Sequence, residues 1–180
     1  MNKGSSRLTP FSRTPTLQNS TWYKGILGTQ LAGEKETGGS FDFVDSHMRQ
    51  GTEPPPHVHE REDEFMYVIN GRLRVFIGRQ TFEVQDGGCV FLPKEIPHAF
   101  RIESSQIHML VQITPGGFMN ALNEMATPAG RLEIPDDDVI TYSHANLAKT
   151  MEVFARYGVH ILSPDEIANQ MPQFPLSFID

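Results

Sequence analysis

The chain has 180 residues, enough for one domain with a sizeable core, and sets 15 Lys+Arg against 22 Asp+Glu for a formal charge of -7. This acidic balance, with no Lys/Arg stripe, excludes the electrostatic footprint that nucleic-acid backbones and anionic lipid surfaces require. The single cysteine, Cys89, excludes an internal disulfide framework, fits a reducing compartment and is expected as a small buried strand residue.

Residues 1–20 are basic and rich in Ser and Thr. They lack the apolar stretch of a secretory signal or a spanning helix, so they read as a flexible arm and a cytoplasmic location is expected. From Trp22 to about Gln112 short runs rich in Val, Ile, Phe and Tyr alternate with Gly, Pro and Asp, the pattern of an all-β sandwich or barrel. Strands are predicted over 41–44, 64–69, 73–77, 81–84, 89–92, 99–102 and 107–113. Asn70-Gly71, Gly78-Arg79-Gln80 and Asp86-Gly87-Gly88 are turn signals, which predict an antiparallel meander of hairpins.

Beyond Thr114-Pro115-Gly116-Gly117 the periodicity becomes helical. A short helix is predicted over 118–125, and a longer one over 145–157 with Leu147, Met151 and Phe154 on one face, stopped by Gly158. A last helix opens at Ser163-Pro164-Asp165-Glu166, which combines a capping hydroxyl, proline at the first helical position and a carboxylate three residues after the cap. The predicted organisation is an arm over 1–20, a β-barrel over 21–117 and a helical extension over 118–180 packed on the barrel.

The chemistry concentrates between Gly51 and Gly71. His57 and His59 are two apart, so on a strand both imidazoles point to one face while Val58 points away. After the acidic stretch 60–63, expected as a solvated turn with Arg61 at a polar rim, Glu64 opens the next strand and can close on the same point. His98, behind the stiff Pro97, supplies a fourth ligand from a distant part of the chain. An isolated histidine is more often a hydrogen-bonded structural residue, but the conjunction of a His-x-His, a following Glu and a later Pro-His points to one divalent ion. His47, His108, His144 and His160 show no partners at ligand spacing and are expected to be structural or exposed. Met66, Val68, Phe76, Phe91, Phe100, Met109 and Val111 are the predicted barrel interior, some of them walls of an apolar slot.

Gly51, His57, His59, Glu64 and Gly71 fill the positions of the first cupin motif, and Gly87, Pro93 and His98 match the second. The chain thus resembles a single-domain bacterial cupin, and the resemblance implies a double-stranded β-helix, or jelly-roll barrel. Glu95 departs from the motif where glycine is usual, and Ile102 stands where germin-like members place asparagine. Pro-Pro-His57-Val-His59, Asp63-Glu64-Phe-Met-Tyr-Val, Thr114-Pro-Gly-Gly-Phe118 and the tail 155–162 are similar to quercetin dioxygenase-like cupins. That likeness, which runs from about Gly38 to Pro164, implies a dioxygenase cleaving a flavonol-like or other enolic aromatic compound, with Glu64 both ligand and base. The expected cofactor is one divalent ion among Fe, Ni, Co, Mn, Cu and Zn. The alternatives are a non-redox isomerase or lyase and a non-catalytic small-molecule-binding cupin. A small-molecule substrate and a homodimer are expected, with neither nucleic acid nor membrane as partner.

Overall fold

A computed structural model of the chain describes residues 7–136 and 144–175. Residues 1–6 of the predicted arm, 137–143 and 176–180 of the predicted extension, and the side chain of His144 lie outside the described residues.

Two antiparallel sheets face each other across the core. One holds β1 (Ser20–Tyr23), β2 (Ile26–Ala32), β3 (Asp42–Arg49), β5 (Asp63–Asn70), β8 (Cys89–Leu92), β10 (Gln106–Thr114) and β11 (Thr127–Pro128), in the order β11-β1-β2-β3-β10-β5-β8. The other holds β4 (His57–His59), β6 (Arg72–Ile77), β7 (Gln80–Gln85), β9 (His98–Ile102) and β12 (Val159–Ile161), in the order β12-β4-β9-β6-β7. Strand alternation sets which residues turn inward. In β3 Val44, Ser46 and Met48 are buried and Asp45, His47 and Arg49 face out; in β10 Ile107, Met109, Val111 and Ile113 are buried. The all-β jelly roll with a few short helices is the expected class.

The hairpin meander is not what forms. Among the described residues β1–β2, through Lys24-Gly25, and β6–β7, through Gly78-Arg79, are joined by two-residue turns, and β2–β3 pair across a longer connection over 33–41; β5 passes to β6, β7 to β8, β8 to β9 and β9 to β10 by changing sheets. Gly71 sits at φ +110, where an added Cβ would lie 2.7 Å from the Gln106 carbonyl, and its N–H donates to Asp86 Oδ1 at 2.6 Å. A turn dipeptide fixes where the chain bends, whereas the partner strand is chosen by which face needs an apolar cover. Cys89 likewise departs from expectation: it is exposed, because it occupies an outward position of β8 opposite Tyr67.

The strands extend one or two residues past most predicted bounds, and β1, β2, β11 and β12 are additions. α2 (Met119–Asn123), α3 (His144–Arg156) and α4 (Pro164–Gln170) fall where helices are predicted, and α1 (Glu34–Thr37) is an unpredicted single turn. The predicted capping box forms: Glu166 N–H donates to Ser163 Oγ, and Glu166 Oε2 accepts from the Ser163 N–H at 2.7 Å. On α3 the inward face is rotated from the predicted one. Thr150, Val153 and Phe154 are buried while Met151 is 43% exposed, because the centre of the contact lies one position before Met151. α4 covers the outside of the second sheet through Ile167 and Met171, which with Phe76, Ala99, Leu162 and Phe174 form a separate apolar cluster.

Two features bear directly on the site. β12 adds itself to β4, pairing Val159 with His59 and Ile161 with His57, so the strand that carries the His-x-His pair is held on both edges. Glu95, the residue in the motif's glycine position, adopts φ +63, and its N–H donates to the His59 carbonyl at 2.7 Å. The turn before His98 therefore takes the left-handed form that glycine adopts without strain. Glu95→Gly should stabilise the protein by about 0.5–1 kcal/mol, a rise of about 1–4 °C in thermal midpoint, with metal content unchanged. Thermal unfolding followed by circular dichroism measures it.

Candidate metal centre

His57, His59, Glu64 and His98 come together inside the barrel. Their ligand atoms all lie within 4.8 Å of one another, and the residues are 7%, 0%, 6% and 1% exposed. The construction is simple. His57 and His59 are alternate residues of β4, and His98 is the cross-strand partner of His57 on antiparallel β9. Glu64 reaches across from the opposite sheet, its Oε1 3.5 Å from His59 Nε2 and its Oε2 3.6 Å from His98 Nε2. For N/O ligands about 2.0–2.2 Å from an ion, neighbouring donor atoms are roughly 3–3.5 Å apart, so these separations need little adjustment.

The hydrogen bonds decide what the site is for. Each imidazole is tied at Nδ1: His57 to the Pro55 carbonyl at 2.8 Å, His59 to Glu62 Oε2 at 3.1 Å and His98 to the Ile96 carbonyl at 3.3 Å. With the proton held at Nδ1 by an outer acceptor, Nε2 presents a lone pair to the centre. His59 Nε2 and His98 Nε2 are buried there without a hydrogen-bond partner. A buried polar atom left alone costs about 1–3 kcal/mol, and three such rings converging on one carboxylate is an arrangement that a cation satisfies. The residues fit a divalent ion.

Electrostatics supports the same protonation states. Burial, with the neighbouring His59 adding to it and the Pro55 carbonyl opposing it, lowers His57 from its ordinary 6.5 to about 3. Burial and then His57 and His59 hold His98 well below its ordinary value. Both imidazoles are therefore neutral at pH 7, the form that binds metal. Burial raises the Glu64 carboxyl, His59 works against the rise and Glu62 adds to it. A divalent ion beside this carboxylate would push it the other way.

Three supporting residues escape a reading of the sequence. Glu62, expected in a solvated turn, is buried and orients His59. Asp42, 1% exposed, accepts from the Gly117 N–H at 2.8 Å and the Met119 N–H at 3.1 Å through Oδ2, and so fixes the Gly-Phe segment between them. Phe118 in that segment meets the His59 ring edge-on at 4.6 Å between centroids, and Phe154 backs it at 5.4 Å. The Thr114-Pro-Gly-Gly-Phe118 wording is the signal for Phe118. Spacing alone does not separate Glu62 from the solvated Glu60 and Arg61 beside it.

An apolar slot of about 130 Å³ opens beside His57 and Glu64, walled by Met66, Phe100, Met109, Val111, Phe118 and Phe154 among others. Four of the predicted interior residues thus line it, and Val68 is buried elsewhere in the same core. Phe76 is buried in the cluster under α4, and Phe91 is 53% exposed because it points outward from edge strand β8. A wider polar vestibule of about 720 Å³, bordered by Arg13, Thr16, Asn19, Glu34 and Asn120, shares Thr21, Gly28 and Met119 with the slot. Of the remaining histidines, His160 is exposed and bonded to Glu166, as expected of a surface residue. His47 and His108 are not without partners: with Asp45 they form a second group at ligand spacing.

Fold and site together define a jelly-roll barrel with a buried three-histidine, one-carboxylate group that could bind a metal. Residues 44–114 match the family model described as the cupin domain. It is similar to quercetin 2,3-dioxygenase of Bacillus subtilis (strain 168), 26% identical over 107 residues that cover 57% of this chain and 32% of that protein. It is also similar to the polyketide synthase CurC of Streptomyces cyaneus, 29% identical over 96 residues, 53% of this chain and 60% of that one. The matched stretch thus spans less than two thirds of either relative. Among solved structures, KdgF from Halomonas sp. aligns with a TM-score of 0.48 at 19% identity, over 54% of this chain and 87% of the other. No helix among the described residues is long and apolar enough to cross a membrane.

Glu62→Ala should weaken affinity for a divalent ion about 10–100-fold by freeing the His59 ring, as read by chelator competition with the fold checked by circular dichroism. A second expectation concerns pH in the chelator-treated protein. In the unfolded chain His57 protonates near 6.5, in the folded one near 3, so as pH falls the unfolded state takes the proton first and stability drops between those values. The wild-type thermal midpoint should therefore fall more steeply from pH 7 to pH 4 than that of His57→Phe, a contrast that leaves the opposing Glu64 common to both.

Proposed function

We propose that the chain is a metal-dependent dioxygenase that opens a small enolic aromatic compound with O2, at one divalent ion held by His57, His59, Glu64 and His98. The carrying observation is the pair of buried, unpartnered Nε2 atoms facing a carboxylate at the end of an apolar slot. The ion, Fe, Ni, Co, Mn, Cu or Zn, supplies positive charge that favours a deprotonated enol and, for the redox-active metals, electrons for reaction with O2.

The chain's own groups do the rest. The three imidazoles hold the centre with fixed tautomers. Glu64 would both help hold the ion and accept the enol proton; burial raises its carboxyl in the metal-free site, and a bound ion would oppose that rise. Phe118, Met66 and Phe100 exclude water and seat an apolar ring. Size narrows the substrate: an apolar cavity of about 150 Å³ holds benzene, so a slot of about 130 Å³ takes at most one ring. A three-ring flavonol would have to leave its other rings in the vestibule, whereas a monocyclic enol would project little beyond the slot. The match to quercetin 2,3-dioxygenase supports the O2-dependent class.

A non-redox isomerase or lyase is the second reading, favoured by the same raised Glu64 carboxyl, which can shuttle a proton without O2. As further parts of the proposal, the chain works in the cytoplasm, where the exposed Cys89 thiol stays reduced, and pairs as a homodimer through the outward Phe65, Tyr67 and Phe91. Protein loaded in turn with Fe2+, Ni2+, Co2+ and Mn2+ should consume O2 only with both metal and a monocyclic or flavonol enol present, with the smaller compounds turned over faster. Glu64→Ala should lower kcat by about 10²–10⁴-fold. Turnover that persists without O2 would transfer the assignment to the second reading, and binding without turnover would make the chain a ligand-binding cupin.

A further inference from the structure

The outward face of the seven-stranded sheet carries a second group built by the rule that builds the buried one. There, two alternate histidines on one strand, 57 and 59, are completed by the cross-strand partner of the first, His98. On the outside Asp45 and His47 are alternate residues of β3, and His108 on antiparallel β10 is the cross-strand partner of His47. His108 Nε2 lies 2.9 Å and His47 Nε2 3.1 Å from the same atom, Asp45 Oδ1, and the two rings stack with centroids 3.9 Å apart at 16°. The side chains are 14%, 37% and 28% exposed for Asp45, His47 and His108, so water can reach the remaining positions around a bound ion.

We propose that Asp45, His47 and His108 form a second divalent-metal site, of the two-histidine, one-carboxylate kind, on the outer surface of the barrel. Donor atoms about 2.0–2.2 Å from an ion are roughly 3–3.5 Å apart, and the two measured edges of this triangle already stand at 2.9 and 3.1 Å. Near-parallel rings direct their lone pairs side by side, so binding requires the imidazoles to fan apart, which two part-exposed side chains on one flat face allow. The proton each ring shares with Asp45 moves to Nδ1 or to solvent, and the carboxylate exchanges two hydrogen bonds for one ion. Imidazole and carboxylate together suit Zn2+, Ni2+ or Co2+. An ion there would clamp β3 to β10 at the middle of the large sheet.

The test is the stoichiometry of Zn2+ bound by the tag-free, chelator-stripped chain, read by equilibrium dialysis with elemental analysis. The wild type should bind two equivalents. His47→Ala, His108→Ala and the shape-conserving Asp45→Asn should each bind one, and His98→Ala should keep the outer one. His160→Ala, which removes a surface His-Glu pair, should lose none. Each variant's metal-free unfolding curve shows that it is folded, and Asp45→Asn carries the question if a histidine variant is not. Equal stoichiometry in the wild type and the folded Asp45 and His47 variants would overturn the second site, whatever becomes of the buried one.

Discussion

The structure turns on one constraint: three imidazoles are buried in an apolar barrel with their outer nitrogens already engaged. Nδ1 of each ring is bonded to Pro55, Glu62 or Ile96, so the proton is committed outward and Nε2 faces inward. Two of those inner atoms have no hydrogen-bond partner. A protein interior satisfies its polar atoms almost everywhere, and a concentrated exception marks a place reserved for something else. Much of the surrounding architecture serves to keep that exception in place.

That service comes from unexpected parts of the chain. The ligand strand β4 is only three residues long, and it is held between β9 and β12, the latter contributed from the far end of the sequence. Asp42 lies fifteen residues before the His-x-His pair, yet its carboxylate fixes the backbone on both sides of Phe118, and Phe118 in turn rests on His59. Positioning a ligand ring therefore draws on β3, on the segment after β10 and on the C-terminal strand. A substitution at any of them would reach the centre through the orientation of His59, without touching an ion.

The barrel also uses one local device twice. Alternate residues on a strand share a face, and an antiparallel partner brings a third side chain to the same spot. Facing inward the device gives a dry, shielded centre beside an apolar slot; facing outward it gives the Asp45, His47 and His108 triangle in contact with solvent. What separates the two is burial. Inside, desolvation keeps His57 and His98 neutral, while outside the same ring type can share protons with a carboxylate.

Four ligand candidates could be read from the amino-acid sequence because their geometry is local: period two places His57 beside His59, and turn and proline signals bracket Glu64 and His98. The strand runs, the helix cap at Ser163 and the all-β class were legible for the same reason, since they follow from side-chain alternation and from residues a few positions apart, whereas the jelly roll was implied by the resemblance of the motifs to cupins. Which strand pairs with which was not, because Asn70-Gly71 and Asp86-Gly87-Gly88 specify bends, and only the burial of both faces of the core decides that the chain crosses between sheets there. Glu62, Asp42, β12 and the His47–His108 pair became visible only in three dimensions. Each owes its role to a partner that sequence spacing cannot assign: a ring whose orientation is set by the sheet, a backbone segment 75 residues away, or a strand facing it across a ladder of hydrogen bonds.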